Sequence, residues 1–178
     1  MTAIQIHYHD TPAGELIMGS IGDRLCLCNW RHKKTHEQVN SRLKRYFNTE
    51  LVEGNSPVIE QTIQQLSEYF SGERTAFSVP LAFAGTAFQK RVWEQLLLIP
   101  FGETWSYLDL ANRLGDANAT RAVGTANGAN AISILVPCHR VIGKNGSLTG
   151  YAGGLGTKEK LLQIEGCLPQ PEQNDLFA

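Results

Sequence analysis

The sequence predicts an α/β (α+β) protein in two parts. A small N-terminal α/β domain covers residues 1–84, and a mostly helical C-terminal domain with a helix-turn-helix of winged-helix-like layout covers residues 85–168. Residues 169–178 read as a flexible tail. Three observations carry this reading. Residues 3–9 alternate apolar and polar side chains, and two further apolar stretches, Leu16 to Met18 and Leu25 to Trp30, follow turn residues, as in a strand meander. Residues 86–128 hold a succession of short helices opened by capping side chains. Beyond residue 168, Pro169, Gln170 and Pro171 have the composition of a linker.

In the first part, Ile4, Ile6 and Tyr8 alternate, Thr11 to Gly14 supplies a turn, and Leu16 to Met18 follows. Gly22-Asp23 makes a second turn before Leu25 to Trp30, which completes three strands. Val39, Leu43 and Tyr46 or Phe47 recur at helical spacing between His36 and Phe47. Ser56-Pro57 opens a second helix with Ile59, Ile63, Leu66 and Phe70 on one stripe. Phe77, Val79, Leu81 and Phe83 alternate as a further strand would. No catalytic motif falls in this part. Cys26 and Cys28, with His32 and His36 nearby, invite a metal reading, but C-x-C is not a zinc pair and in a strand it places both thiols on one face. Buried strand cysteines are the favoured reading, and no metal or other cofactor is expected.

In the second part, Thr86-x-x-Gln89 is a capping box for a helix carrying Phe88, Val92, Trp93, Leu96 and Leu97 up to Pro100. Ser106-x-x-Asp109 caps a second helix closed by Gly115, and Asn118 can cap a third from Ala119 to Asn127. Two short helices joined by a tight glycine-containing turn form a helix-turn-helix pattern. The third helix is rich in small residues, which suits close packing and also suits lying against a nucleic-acid groove with Arg121 in its first turn. Ile132, Ile134, Leu135 and Val136 then read as an apolar strand leading into Pro137-Cys138-His139-Arg140. Asn145-Gly146 is a hairpin signal, Gly150 to Gly156 is a glycine-rich loop, and a last helix runs from Thr157 to Glu165.

Composition limits the function classes. The chain has 178 residues, 42% of them hydrophobic and 19% charged, an ordinary globular balance. The net charge of −1 argues against a whole-chain footprint for nucleic acid. Its distribution is uneven: eight Lys/Arg against nine Asp/Glu in residues 1–85, eight against six in residues 86–168. The second part is therefore mildly basic, which permits a local anion-binding patch. No apolar run approaches the ~18–20 residues of a membrane span, and the N-terminus lacks the pattern of a signal peptide. Four cysteines are too few for a disulfide framework and fit a reducing compartment, so a cytoplasmic location is expected. A monomer with no membrane partner is expected as well.

The chemistry centres on Cys138 beside His139, a nucleophile beside a base. In extended backbone adjacent side chains point to opposite faces, so a base acting through one water is the simpler picture unless the chain bends there. Glu165 is the candidate to orient the imidazole. It lies one turn after Leu161 on the apolar side of the last helix, at a C-terminus where its charge costs roughly 0.3–1 kcal/mol, and so needs a partner. Tyr107 and Tyr151 flank the region. These residues alone specify a cysteine nucleophile in a helix-turn-helix domain. They leave open an alkyl acceptor, a lesion or operator binder, and a cysteine hydrolase.

The run Pro137-Cys138-His139-Arg140-Val141-Ile142-Gly143 resembles the active-site signature of the O6-alkylguanine-DNA alkyltransferases, the methylated-DNA–protein-cysteine methyltransferase family, in its bacterial form. Gly85-Thr86-x-Phe88-Gln89-x-x-Val92-Trp93, Tyr107, Arg121 to Asn130, Gly150 to Gly154 and Leu161-Leu162-x-x-Glu165-Gly166 match as well. The resemblance covers residues 85–166; the first 85 are similar only in layout.

The resemblance implies that Cys138 takes the alkyl group of O6-alkylguanine, and of O4-alkylthymine, in double-stranded DNA, once per molecule and irreversibly. It implies that His139, through water, and Glu165 hold the sulfur as thiolate, and that Tyr107 gives a proton toward the guanine. Arg121 sits where the family inserts an arginine into the duplex in place of the flipped nucleotide. Ala119, Thr120, Asn127, Tyr151 and Ala152 correspond to DNA or base contacts, and Asn130 to a hinge before the active-site strand. Lesion-binding relatives that do no repair have Trp where this chain has Cys138. Finally, Gln173-Asn174-Asp175-Leu176-Phe177 resembles the short peptide by which bacterial proteins dock on the replication sliding clamp.

Overall fold

A computed structural model describes residues 2–32 and 34–171. The tail peptide 173–177 lies outside the described residues. β1 (Ile4–Thr11), β2 (Gly14–Ile21) and β3 (Arg24–Trp30) form the expected antiparallel meander. A short β4 (Leu51–Glu53) pairs in parallel with β1, giving the order β3-β2-β1-β4. Between these strands α1 (His36–Phe47) buries Val39 and Leu43. After β4 comes α2 (Pro57–Phe70), whose Ser56 cap accepts the Ile59 amide and whose Ile59, Leu66 and Tyr69 face the core. Each aliphatic side chain so buried is worth about 1.5–3 kcal/mol relative to exposure.

The first two helices of the second part begin where their caps predict. Thr86 and Gln89 close a reciprocal capping box on α3 (Ala87–Leu96), and Ser106 and Asp109 do the same on α4 (Tyr107–Arg113). The third start differs from expectation. Asp116, not Asn118, supplies the cap, accepting the Asn118 amide at 2.9 Å. A 3₁₀ turn over Ala117–Ala119 then precedes α5 (Thr120–Gly128). Trp93 fastens α3 to α5 by donating its indole N–H to the Ala126 carbonyl at 2.9 Å. Gly85 makes that approach possible, since a Cβ there would stand 2.5 Å from the Trp93 ring.

Two expected strands are not strands. Residues 77–83 are extended but make one isolated bridge, Leu25↔Leu81, because Pro80 has no amide to donate. The apolar run 131–136 likewise touches β3 at one bridge, Cys28↔Ile132, and then coils. Ile134 sits at φ +72°, and Leu135 and Val136 bond back to Ser133 and Ile132. The run is apolar because it is buried on the edge of β3, with every residue from Ala131 to Val136 inside. Both segments thereby cover that edge. Asn130 braces the coil: its Oδ1 accepts the Ile132 amide at 2.9 Å and its Nδ2 donates to the Val136 and Ile132 carbonyls at 2.9 and 3.3 Å.

The chain leaves this coil in a 3₁₀ turn over Cys138–Arg140 and enters β6 (Val141–Ile142), which pairs in parallel with β5 (Trp105–Ser106). Asn145-Gly146 makes a tight turn, not a hairpin, since β6 is already paired elsewhere. α6 (Leu155–Ile164) starts two residues before Thr157 and ends on Gly166 at φ +76°, with Cys167 donating to Leu162 and Gly166 to Gln163.

The brace on Asn130 yields a prediction. Asn130→Ala strands two buried carbonyls and an amide, so urea unfolding should show a loss of about 2–3 kcal/mol at unchanged m-value. A loss below about 0.5 kcal/mol would mean that the coil holds itself without this side chain.

Candidate active site around Cys138

Because Cys138, His139 and Arg140 lie in a 3₁₀ turn, they do not alternate between faces as a strand would. All three are buried, Cys138 at 5% exposure. His139 Nε2 meets Glu165 Oε1 at 2.7 Å. Arg140 grips the same carboxylate with two donors, Nε to Oε2 at 2.7 Å and Nη2 to Oε1 at 3.0 Å. Its Nη1 donates to the Ile99 carbonyl at 2.6 Å. Tyr69 of α2 adds its hydroxyl to Oε1 at 2.8 Å. Burial alone would raise the Glu165 carboxyl, but the hydrogen bonds and charges of His139 and Arg140 outweigh it and hold the group at about 2. Burial pulls His139 below its ordinary value, with Glu165 opposing. A neutral imidazole facing an ionised carboxylate carries its proton on Nε2 and donates it. Nδ1 is then an acceptor, and among the described residues it has no side-chain or backbone partner.

Lys158 lies fully buried on α6, donating to the Val141 carbonyl at 2.6 Å and the Thr149 carbonyl at 2.9 Å. Burial draws its ammonium down to about 8, while the nearby Cys138 acts to raise it. The strand pair β5–β6 brings Tyr107, first residue of α4, beside the turn. The Tyr107 hydroxyl accepts from Thr149 Oγ1 at 3.2 Å, so its own proton remains available for another acceptor. A cavity of about 930 Å³ opens here, lined among others by Trp30, Tyr107, Gly124, Asn127, Tyr151 and Ala152. Cys138 is not one of its lining residues, but its carbonyl accepts from Asn127, which is.

The expected residues therefore separate into groups. His139 and Glu165 come together with Cys138 as their order in the chain suggested. Tyr107, Tyr151 and Ala152 share the cavity wall. Arg121 is exposed on α5 beside Ala122 and Thr125, while Ala119 and Thr120 are half-buried, the Thr120 hydroxyl donating back to Ala117. Asn127 is expected to face DNA, but its side chain is buried and its Nδ2 reaches the Cys138 carbonyl at 3.5 Å. It supports the nucleophile's turn. Asn130, expected at a hinge, braces the coil that follows α5 with its side-chain hydrogen bonds.

Four further side chains stand at the site. Arg140 has no spacing signal beyond its place after His139. Lys158 has one: with Leu161, Leu162 and Glu165 it completes a 3-4 spaced stripe, which puts a lysine on the buried face of α6. Tyr69 and Trp30 come from the first part of the chain, which reads as free of catalytic motifs. Cys26 and Cys28 are buried in β3, and burial pushes both thiols up to about 12, as suits structural cysteines. Among the described residues no group of three or more His, Cys, Asp or Glu could hold a metal ion.

Comparison with known proteins gives one answer across the chain. Residues 87–167 match the model of the 6-O-methylguanine DNA methyltransferase DNA binding domain. Residues 4–83 match that of the 6-O-methylguanine DNA methyltransferase ribonuclease-like domain. The methylated-DNA–protein-cysteine methyltransferase of Mycobacterium tuberculosis is 43% identical over 162 residues, 90% of this chain and 92% of its own. The constitutive one of Bacillus subtilis is 47% identical over 157 residues, 88% of this chain and 92% of its own. The crystal structure of the M. tuberculosis OGT in complex with DNA aligns at a TM-score of 0.78 and 40% identity, covering 91% of this chain and 92% of that one. With family models matched over nearly its whole described length, the chain belongs to the O6-methylguanine-DNA methyltransferase family, in its OGT-like branch.

Proposed function

We propose that this chain repairs DNA as a methylated-DNA–[protein]-cysteine S-methyltransferase, moving the alkyl group from O6-alkylguanine directly, stoichiometrically and irreversibly to Cys138. The observation that carries the reading is the buried Glu165–His139 pair, its imidazole in the same turn as Cys138, with the second ring nitrogen unengaged by protein among the described residues. The Cys138 proton passes through a water to His139 Nδ1, while Glu165 holds Nε2–H and favours the imidazolium that forms. The sulfur attacks the alkyl carbon in line with its bond to O6. The S–C bond forms, the C–O6 bond breaks, and the electron pair moves into the guanine, which takes a proton from Tyr107. A thioether and an unmodified guanine result, and no step regenerates the thiol. O4-alkylthymine presents the same alkyl–oxygen bond beside a ring nitrogen and follows the same course.

Burial of Cys138 at 5% exposure supports a nucleotide leaving the duplex, since a stacked guanine cannot carry its O6 to a buried sulfur. Exposed Arg121, on a helix whose outer face carries Ala122 and Thr125, suits the role of filling the vacated stack, with Ala119 and Thr120 at the start of the same face. Tyr151 and Ala152 line the space offered to the base. We assign residues 1–84 to a bracing domain, 85–168 to the DNA-binding and acceptor domain, and the remainder to a tail. Among the described residues no helix is long and apolar enough to cross a membrane. A reactive thiol suits the reducing cytoplasm, where the protein acts as a monomer. The resemblance of Gln173–Phe177 to a clamp-docking peptide supports a docking role for the tail.

Three outcomes are expected. Mass spectrometry after mixing with duplex DNA bearing O6-methylguanine should show one methyl group per protein on the Cys138 peptide. Cys138→Ser should bind that duplex and gain no mass; transfer without Cys138 would overturn the assignment, and ester turnover with no lasting adduct would favour a hydrolase. For pH, His139 is held below its ordinary 6.5, so the unfolded chain binds its proton first and stability should begin to fall as pH drops below about 6.5. Glu165, depressed from 4.5 to about 2, stabilises fully above about 4.5 and loses that contribution as pH falls toward 2. Glu165→Gln should therefore flatten the limb between those values in a chemical-denaturation series, and an unchanged limb would show that other carboxylates set it. Lastly, a chain ending at Pro171 should transfer normally and lose clamp binding in surface plasmon resonance; retained binding would retire the docking role.

A further inference from the structure

Trp30, the last residue of β3, is an unusual occupant for the end of an edge strand. It is 4% exposed, and its ring fills a slot between two glycine backbones. A Cβ on Gly14 would stand 3.5 Å from the ring, and one on Gly153 would stand 2.8 Å away, so Gly153 packs flush on the indole. Its Nε1–H donates to the Tyr151 hydroxyl at 3.0 Å, and the two rings meet edge-on at 6.4 Å. Tyr151 in turn meets the His139 ring edge-on at 6.5 Å. The indole thus touches the cavity wall at two points, Tyr151 and Gly153, and Tyr151 connects it to the imidazole of His139.

The rest of that wall is loosely tied. Residues 148–154 form no helix or strand. Thr149 is held by Lys158 and by its contact with Tyr107, and Gly154 donates to the Tyr151 carbonyl. Sideways support for the Tyr151 ring comes from Trp30, a residue some 120 positions away in the chain, together with the edge of the His139 ring and Ser133 beside the hydroxyl.

We propose that Trp30 is a positioning residue for the substrate cavity: by fixing Tyr151 and Gly153 from the opposite side, it sets where the wall stands and so which sizes of alkyl group reach Cys138. This rests on the transfer reaction proposed above. The N-terminal part then selects adducts as well as bracing the fold. A larger group needs the wall to yield, and the indole locked between Gly14 and Gly153 resists that.

The test measures single-turnover transfer from duplexes carrying O6-methylguanine or O6-benzylguanine, with duplex affinity measured alongside. Trp30→Ala frees the wall and should raise the benzyl-to-methyl rate ratio at least about three-fold, with affinity unchanged because the exposed face of α5 is untouched. Trp30→Phe loses the indole N–H and shrinks the ring that fills the slot against Gly153. It should slow methyl transfer at least roughly three-fold, and its effect should be markedly smaller in a Tyr151→Phe background. An unchanged ratio in Trp30→Ala would make Trp30 a core residue and overturn the inference. Should that variant not fold, additive effects of Trp30→Phe and Tyr151→Phe would overturn it equally. Wild-type protein that places no methyl on Cys138 would sink the transfer reaction itself, and this inference with it.

Discussion

The Glu165 carboxylate is the charge around which the second half of the molecule is arranged. It is buried at the C-terminal end of α6, where both desolvation and the helix dipole oppose its ionisation. It stays ionised because Arg140 offers a two-pronged grip, His139 a third donor and Tyr69 a fourth. A carboxylate satisfied from so many sides cannot shift without stranding its partners. Removing one member of a buried pair costs about 3–5 kcal/mol, far more than an exposed ion pair contributes. The same contacts that make the charge tolerable also fix the imidazole's tautomer and orientation.

That constraint explains why the nucleophile sits in an irregular segment. A strand would turn Cys138, His139 and Arg140 to alternating faces, and only one face could meet α6. The 3₁₀ turn lets His139 and Arg140 both reach Glu165, while the coil before it, braced by Asn130, carries Cys138 into its buried position. The sequence shows the apolar run and the Pro-Cys-His-Arg motif plainly, yet the period of the run suggests a strand. Burial of every residue from Ala131 to Val136 erases the alternation that distinguishes strand from coil.

Elsewhere, legibility follows locality. Capping boxes, the meander and the stripe on α2 are decided by neighbours within about four residues, and each element appears where its caps place it. The start of α5 moved because Asp116 competes with Asn118 for the cap, a choice between two good acceptors two residues apart. Cys138, His139 and Glu165 were legible because the helix spacing of Leu161 and Glu165 exposes an ill-placed charge that needs a partner. Tyr69 and Trp30 were not, since nothing local in a strand end or a helix face signals that its hydroxyl or indole finishes a site assembled from residues far along the chain.

Reaching from the first part into the second also accounts for a feature of the charge balance. The reaction centre gathers Glu165, Arg140 and Lys158, and the partners that satisfy them are largely neutral: the Tyr69 hydroxyl, the carbonyls of Ile99, Val141 and Thr149, and the His139 imidazole. Neutral dipoles fix charges without adding ones that would have to be matched in turn. Around Cys138, Arg140 is already spent on Glu165, and Lys158, held by two carbonyls, is close enough to Cys138 for the two to interact electrostatically. These charges are fixed before any substrate arrives, so no reorganisation of protein charge has to accompany the attack. An acceptor used once has no product to release from its sulfur, so a site this rigid and this buried carries no penalty in turnover.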